Sequence, residues 1–439
     1  MTSWFADYAW LPTGLARDVR LEADAGRFTD VTPNATPGSG AIRLPGVVLP
    51  GFANCHSHAF HRALRGRTHS DGGTFWTWRD RMYTLAGQLD PDRYLDLARA
   101  AYAEMALSGV TAVGEFHYLH HGPGGRPYAD PNAMAEALRQ AAAEASIRLT
   151  LLDACYLSGG LGPDGHRPLD DVQLRFSDGD AAGWAARFGA LQPDGNTRVG
   201  AAIHSVRAVP REALATVRAA AAGRPLHIHL SEQPAENDAC RRQYGVTPAQ
   251  LLDDAGILGA TTTAVHATHL TADDIRRLGT AGTTVCLCPT TERDLADGIG
   301  PAPELAAAGA PISLGSDQHA VTDLFEEARG VEMDERLRSG RRGNFAPTDL
   351  LAMLTRHDSI GWPDAGRLAA GRRADLVAVR LDSVRTAGCD AGQVLLAAGA
   401  ADVDTVIVDG RPVVLGGVHV LGDVGALLAR AIEAAWQPR

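Results

Sequence analysis

Short apolar, β-branched runs alternate with helical segments along most of this chain, and that alternation limits the possible folds more than any other feature of the sequence. Several helices carry start signals, among them Asp90-Pro91 and Thr247-Pro248. Eight βα units with nearly continuous apolar strands predict a parallel, closed (β/α)8 barrel of the TIM type, with a doubly wound open sheet as the alternative. The predicted strands are 47–54, 111–118, 147–155, 198–206, 224–231, 261–268, 283–288 and 311–315.

The two ends of the chain depart from this pattern. Residues 1–46 are rich in turn formers, whereas 371–379 and 405–414 resemble strands, the second with a hairpin turn at Asp409-Gly410. We therefore expect the two ends to meet in a small β-rich domain beside the barrel, giving an α/β protein. The expected bounds are 1–46 for the first part of the small domain, 47–360 for the barrel, and 361–439 for the second part with an amphipathic terminal helix.

Composition excludes several classes of function. All 41 basic residues are arginine, so Schiff-base chemistry, a P-loop lysine and a modified lysine bridging two metals are ruled out. The net charge of −11 argues against nucleic acid as a partner, although a few arginines can still bind an anionic substrate. No apolar run reaches the roughly 18 residues of a membrane span, and the N-terminus lacks a signal sequence, which predicts a cytoplasmic protein. The six scattered cysteines are expected to be free, buried thiols.

Polar side chains follow the predicted strands at their carboxyl ends, where a barrel of this type places its active site. His56 and His58 project to one side of the first strand, a weak sign of a metal site when taken alone. Three histidines and a carboxylate on separate strands can together hold one divalent ion and leave a position for water. The series is His56 and His58; Glu115, His117 and Tyr118; His204 and Arg207; His227, His229 and Glu232; His266 and His269; and Asp317.

The same residues suggest a hydrolytic chemistry. A bound Zn²⁺ lowers the pKa of its water to about 7, and Asp317 could accept the proton while contacting the metal. Glu232 could carry a proton to a leaving nitrogen, and His266 could polarise the reacting group. The glycines at 160, 162 and 165 match a dinucleotide-binding pattern formally, but Pro163 makes the segment a loop that cannot open a helix.

Several motifs resemble a known family. LPGFANCHSH, HIHLSE, VHATH and LGSDQH resemble the amidohydrolase superfamily in its single-metal deaminase branch. HSHAFHRA, FWTWRDRMY, GEFHYLHH, HSVRAV and TERDLADGIGP resemble, within that branch, the N-formimino-L-glutamate deiminases of histidine degradation. The resemblance covers most of residues 47–325 and implies hydrolysis of a formimino group to a formyl group with release of ammonia.

The resemblance also implies site residues. It implies one zinc ion, with Fe²⁺ as a possible substitute, held by His56, His58, His229 and Asp317. It assigns catalysis to Glu232, His266 and Asp317, and substrate binding to His61, Arg79, Tyr118, His204 and Arg207. Arginines suit the two carboxylates of a glutamate derivative because guanidinium binds carboxylate in a bidentate manner.

Two departures from the family pattern bear on the substrate. The family has glutamine where this chain has His61, and TERDLADG at 291–298 replaces its usual T-E-x-N-L-G-D-G. We expect a small-molecule dicarboxylate amidine as substrate and a homodimer as the assembly. The alternatives are a related deaminase acting on another formimino or amidino acid or on a ring amidine such as guanine, and a non-catalytic metal-binding barrel.

Overall fold

The computed structural model of the chain describes residues 2–69 and 73–438. Its strands form two eight-stranded sheets and one two-stranded hairpin. The strands are β1 (Thr2–Leu11), β2 (Gly14–Asp24), β3 (Arg27–Thr32), β4 (Ile42–Pro50), β5 (Phe52–Ser57), β6 (Val110–His117), β7 (Arg148–Cys155), β8 (Leu161–Gly162), β9 (Gly165–His166), β10 (Thr197–Ile203), β11 (Leu226–Leu230), β12 (Thr262–His266), β13 (Thr284–Leu287), β14 (Ile312–Leu314), β15 (Leu376–Val379), β16 (Val403–Val408), β17 (Arg411–Leu415) and β18 (Val418–His419).

Thirteen α-helices are present within the described ranges. They are α1 (Phe75–Gln88), α2 (Pro91–Leu107), α3 (Ala133–Glu144), α4 (Ala181–Ala190), α5 (Leu214–Ala220), α6 (Pro234–Tyr244), α7 (Pro248–Asp254), α8 (Ala272–Ala281), α9 (Pro289–Asp294), α10 (Ala302–Ala307), α11 (Leu324–Ser339), α12 (Pro347–Leu354) and α13 (Val424–Trp436). Short 3-10 helices occupy Ala59–Leu64, Pro123–Gly125, Gln173–Phe176, Arg211–Ala213, His357–Ile360, Ala391–Leu396 and Ala400–Asp402. Among the helices the structure describes, none combines the length and apolar character that crossing a lipid bilayer requires.

The predicted parallel barrel is confirmed. Its strands pair in the order β5-β6-β7-β10-β11-β12-β13-β14, every neighbouring pair parallel. A bridge between Ser57 and Asp317 joins the first strand to the segment after the last one. The Asp317 N–H donates to the His56 carbonyl at 3.0 Å, and the His58 N–H donates to the Asp317 carbonyl at 3.1 Å. The sheet therefore closes at its carboxyl end, which an open doubly wound sheet would not do.

The small β-rich domain built from both chain ends is also confirmed. Its sheet has the order β18-β17-β16-β15-β4-β1-β2-β3, so strands from the two termini meet where β4 pairs with β15. The predicted strand 47–54 divides at Gly51 into β4 of this sheet and β5 of the barrel. A Cβ atom at Gly51 would lie 2.4 Å from the side chain of Thr111, so the chain can pass between the sheets there only without a side chain.

The terminal helix lies against the barrel. Helix α13 packs on α2, and the indole N–H of Trp436 donates to the Ala63 carbonyl at 2.9 Å. The opposite, amino end of the barrel meets the small sheet through Arg148 and Asp375, which are both fully buried and form a two-point ion pair. The hairpin turn at Asp409-Gly410 occurs as predicted, with φ of 48° and 73° between antiparallel β16 and β17.

Candidate metal centre and active site

Four donor atoms converge at the carboxyl end of the barrel. The Nε2 atom of His229 lies 3.1 Å from Nε2 of His56 and 3.4 Å from Nε2 of His58. One carboxylate oxygen of Asp317, Oδ1, lies 3.2 Å from Nε2 of His56 and 3.3 Å from Nε2 of His58. A tetrahedral ion held at about 2.0–2.1 Å by each donor sets the donors about 3.3 Å apart, so the observed spacing fits one zinc-sized ion.

The histidines of this cluster are prepared to act as ligands. Burial lowers the pKa of His56 to about 3 and lowers the pKa values of His58 and His229, so all three imidazoles are neutral. The Nδ1 atom of His58 donates to the Phe116 carbonyl at 2.9 Å, and Nδ1 of His229 donates to the His204 carbonyl at 2.8 Å. With Nδ1 protonated, Nε2 of each ring carries the free lone pair that a metal ligand needs. Metal-bound histidines are commonly oriented in this way, by a hydrogen bond from the ring nitrogen that does not bind the metal.

Close packing and strained backbone bring Asp317 to the cluster. A Cβ atom at Gly315 would lie 2.7 Å from Cβ of His56, so glycine allows the segment after β14 to approach β5. Asp317 itself has φ of 42°, and His266 at the end of β12 has φ of 68°. Residues other than glycine rarely adopt such angles, and they do so in turns and at active sites.

A proton-transfer group adjoins the cluster. The second oxygen of Asp317, Oδ2, lies 4.0 Å from Nε2 of His266, and Oε1 of Glu232 lies 3.8 Å from that same nitrogen. Burial alone would lower the pKa of His266, but the carboxylates of Glu232, Glu292 and Asp317 raise it well above its usual value. An ion bound by Asp317 would offset part of that charge. The titratable side chains of Glu232 and His266 therefore lie next to Asp317 at the edge of the cluster.

Two glutamates of the site were missed by the sequence analysis. Oε1 of Glu292 lies 3.5 Å from Nδ1 of His266 and also accepts from the Cys288 N–H at 2.9 Å. Glu236 lies 3.2 Å from Nε of Arg207 and accepts from the Ser231 N–H at 3.0 Å. Both follow a strand end by a few residues, and that spacing is the one sequence signal that could have indicated them.

A cavity of about 430 Å³ opens above the cluster. All five predicted substrate contacts line it: His61, Arg79, Tyr118, His204 and Arg207. Nε2 of His61 is 2.8 Å from the Tyr118 hydroxyl. The Arg79 guanidinium lies over the rings of Trp76 and Tyr83, 4.6 and 5.4 Å from their centroids. Whether these residues bind substrate stays a prediction.

Some polar residues at the strand ends lie outside the site. His227 shares one face of β11 with His229 but lies nearer the amino end of the strand, with Nε2 3.1 Å from the Ser359 carbonyl. His269 donates to the Asp297 carbonyl at 2.7 Å. The buried carboxylate of Glu115 accepts from Ser57 and from the Ala59 N–H, both at 2.6 Å. Glu115 therefore supports the segment that carries the first two histidines of the cluster rather than lining the cavity.

His117 belongs to a second buried group, with His120 and Asp153. Asp153 accepts two hydrogen bonds from Arg187, at 2.8 and 2.9 Å, and a third from Trp184 at 2.9 Å. The guanidinium both occupies the carboxylate oxygens and repels a cation, so this group is a structural ion pair rather than a metal site.

A model of the amidohydrolase family matches residues 47–413. The chain belongs to the amidohydrolase family. The formimidoylglutamate deiminase of Pseudomonas aeruginosa is 37% identical over 95% of this chain and 96% of that protein. The 8-oxoguanine deaminase of the same organism is 33% identical over 89% of this chain and 87% of its own length. The crystal structure of an amidohydrolase from Brucella melitensis superposes with a TM-score of 0.92 at 31% identity, covering both chains completely.

Membership confirms the family resemblance drawn from the motifs and identifies this amidohydrolase as a hydrolase of C–N bonds. A non-catalytic metal-binding barrel is correspondingly disfavoured. The two deaminases above act, by their names, on different substrates, a linear amidine in one case and a purine in the other. Family membership therefore does not identify the substrate, which depends on the residues that line the cavity.

Proposed function

We propose that this amidohydrolase is a zinc-dependent deiminase that hydrolyses N-formimino-L-glutamate to N-formyl-L-glutamate and ammonia. The observation that carries the proposal is the pair of guanidiniums above the metal cluster, Arg79 and Arg207, in a protein whose net charge is −11. Arg79 on α1 and Arg207 after β10 both line this cavity, and two guanidiniums suit a ligand with two carboxylates. The 37% identity to a formimidoylglutamate deiminase supports the same substrate.

Arg207 is held rigidly for such a role. Its Nη2 donates to Glu232 at 3.4 Å, its Nε lies 3.2 Å from Glu236, and its guanidinium lies 5.9 Å from the centre of the Phe75 ring. Within the described part of the chain its Nη1 makes no hydrogen bond, which leaves that edge for a substrate carboxylate. Arg79 forms no ion pair with any described residue and can bind the second carboxylate.

His56, His58, His229 and Asp317 would hold the ion. When bound, the ion supplies a nucleophilic water at neutral pH. Oδ2 of Asp317, which lies 4.0 Å from Nε2 of His266, would accept a proton from the attacking water, and Nε2 of His266 would hydrogen-bond the charge that develops on the substrate. Glu232 delivers a proton to the amino nitrogen, the bond from carbon to that nitrogen breaks, and ammonia leaves. The other nitrogen stays on glutamate as part of the N-formyl group. The reaction is balanced, because one water and one formimino-glutamate give one N-formyl-glutamate and one ammonia.

A ring amidine is the competing substrate class. Aromatic side chains line the cavity, among them Phe75, Trp78 and Tyr156, and they could stack on a purine. The relationship to 8-oxoguanine deaminase favours this class. Paired guanidiniums suit a dicarboxylate better than a neutral purine, so we place this class second.

Ammonia release by protein of known metal content distinguishes the two. The substrates are N-formimino-glutamate, N-formimino-aspartate, guanidino acids, guanine, 8-oxoguanine and adenosine. We expect formimino-glutamate to have the highest kcat/KM, and Arg79→Met to reduce it roughly 100-fold, since a charge-assisted pair is lost. Arg81→Met, on the same helix but outside the cavity, is the control. Preference for a purine, or an unchanged kcat/KM in Arg79→Met, would contradict the proposal.

A further inference from the structure

The cavity is larger than the proposed substrate needs. Formimino-glutamate has about a dozen non-hydrogen atoms, fewer than the ligands that usually fill cavities of ~300–1,000 Å³. The cavity of about 430 Å³ continues past Arg207 along one face of α6, where it is lined by Ala235, Ala239 and Arg242. These three residues are four and three positions apart and therefore share a helix face. Two of the three side chains are small and leave a channel-like part of the cavity beside the helix, and Arg242 is the charged member of the set.

A hairpin forms the other side of this channel. Strands β8 and β9 place Gly160, Gly162 and Arg167 in the cavity wall. The Arg167 guanidinium lies close to Gly162. A Cβ atom at position 162 would be only 2.7 Å from Nε of Arg167, so this approach requires glycine. The hairpin is fixed to the end of α6 by His166, whose Nε2 is 2.8 Å from the Tyr244 hydroxyl. Arg167 and Arg242 are thus presented from two elements that are joined to each other.

These two arginines are exposed to solvent, and no carboxylate compensates their charge within the described ranges. Neither guanidinium forms an ion pair with a carboxylate of residues 2–69 or 73–438, although acidic residues exceed basic ones in the whole chain. The dipole of α6 stabilises a cation near the C-terminal end of the helix. Arg241, in the same turn, supplies such a cation without lining the cavity. An unpaired arginine that faces a cavity is suited to bind an anionic group of a ligand.

We propose that Arg167 and Arg242 form a second anion subsite that binds a further carboxylate of an extended substrate. The substrate class is a formimino-glutamate joined by an amide bond to another acidic amino acid. Arg242 lies seven positions after Ala235, which is about 10 Å along the helix and matches one added residue and its side chain. The reaction is unchanged, since water still adds to the amidine carbon and ammonia still leaves. This inference rests on the proposed function of the same site.

Steady-state kinetics with matched substrates test the subsite. Wild type, Arg167→Ala, Arg242→Ala and the control Arg241→Ala are assayed with N-formimino-glutamate and with its α- and γ-linked glutamyl-glutamate analogues. We expect one dipeptide to have a lower KM than formimino-glutamate. We expect Arg167→Ala and Arg242→Ala to raise that KM about tenfold with little change in kcat, since each removes a charged contact. The kcat/KM for formimino-glutamate should change by less than about threefold, and Arg241→Ala should resemble wild type.

Two results overturn the subsite while leaving the proposed function intact. Either formimino-glutamate is hydrolysed but neither dipeptide is, or the Arg167→Ala and Arg242→Ala variants lose activity equally on both substrates, which would indicate long-range attraction alone. If formimino-glutamate itself is not hydrolysed, the proposed function fails. Calorimetry on the metal-loaded protein then decides the subsite: tighter binding of glutamyl-glutamate than of glutamate, lost in Arg242→Ala, supports it, and equal binding refutes it.

Discussion

The Nδ1 atom of His266 lies 3.5 Å from Oε1 of Glu292, and both side chains are buried. The opposite nitrogen of the ring faces Glu232 at 3.8 Å. A carboxylate beside Nδ1 keeps that nitrogen protonated and holds the ring so that Nε2 points into the cavity. Glu292 therefore positions His266, although it does not line the cavity itself.

Replacing Glu292 with glutamine tests this relationship. The amide keeps the shape of the side chain but loses the charge that orients His266, so we expect kcat to fall roughly 10–100-fold. KM should stay within about threefold because the substrate does not contact residue 292. Glu433→Gln on the exposed face of α13 is the control. A rise in KM with unchanged kcat would show that Glu292 acts on binding instead.

The Asp317→Asn substitution tests the metal cluster and the proton acceptor together. Asparagine cannot accept the proton, and it binds a divalent ion more weakly than a carboxylate does. We expect turnover to fall roughly 10²–10⁴-fold, with reduced metal content after dialysis measured by mass spectrometry. The exposed Asp358→Asn variant should keep both properties. Turnover close to wild type in Asp317→Asn would exclude the proposed mechanism.

His61 offers a test of substrate preference. Glutamine at this position can still hydrogen-bond the Tyr118 hydroxyl, so His61→Gln should keep kcat/KM within about threefold of wild type. Leucine cannot make that bond, and His61→Leu should raise KM about tenfold. The amidine panel described above is the assay. A changed order of substrates in His61→Gln would mean that His61 selects the substrate.

Asp375 is expected to be essential for stability. Asparagine at this position would leave the fully buried Arg148 without its two-point partner. We expect the free energy of unfolding to drop by about 3–5 kcal/mol, measured by denaturant titration. The half-exposed pair of Asp364 with Arg27 is the comparison, and Asp364→Asn should cost less than about 1 kcal/mol. Equal effects of the two substitutions would contradict this expectation.

Acid sensitivity should depend on Asp178. Burial alone would raise the pKa of this carboxyl, but hydrogen bonds from His121 and Arg187 hold it well below its usual value. A lowered pKa in the folded state stabilises the protein above the unfolded pKa of about 3.9 and loses that effect as pH falls. The unfolding midpoint of wild type should therefore decline more steeply from pH 6 to pH 3 than that of Asp178→Asn. Parallel curves would exclude this role.

The position of the site could be predicted from the sequence because barrel geometry decides it. Once eight parallel strands are inferred, the residues that follow them must meet at one end, as His56, His229 and Asp317 do. The division of strand 47–54 could not be predicted in the same way. It depends on the contact of Gly51 with Thr111, a residue 60 positions away in the chain.

The packing of side chains inside the barrel explains the features of the site that could not be predicted from the sequence. His227 and His229 are two residues apart and share one face of β11, so both stood in the predicted series. Only the packed structure shows that His229 reaches the cluster, whereas His227 lies nearer the amino end of the strand, against the Ser359 carbonyl. Glu292 lies in a short helix after β13, and nothing local distinguishes it from a solvated charge. Its contact with His266 joins residues 26 positions apart in the chain, which no local pattern indicates.

The bridge between Ser57 and Asp317 has a consequence for biosynthesis. The proposed ion site spans the seam where the first strand of the barrel meets the last, so its fourth donor, Asp317, is synthesised some 260 positions after the first, His56. A nascent chain still short of Asp317 has at most the three histidines and lacks the carboxylate that completes the site. Metal uptake therefore reports that the ring of strands has closed, and incompletely synthesised or truncated chains should remain metal-free.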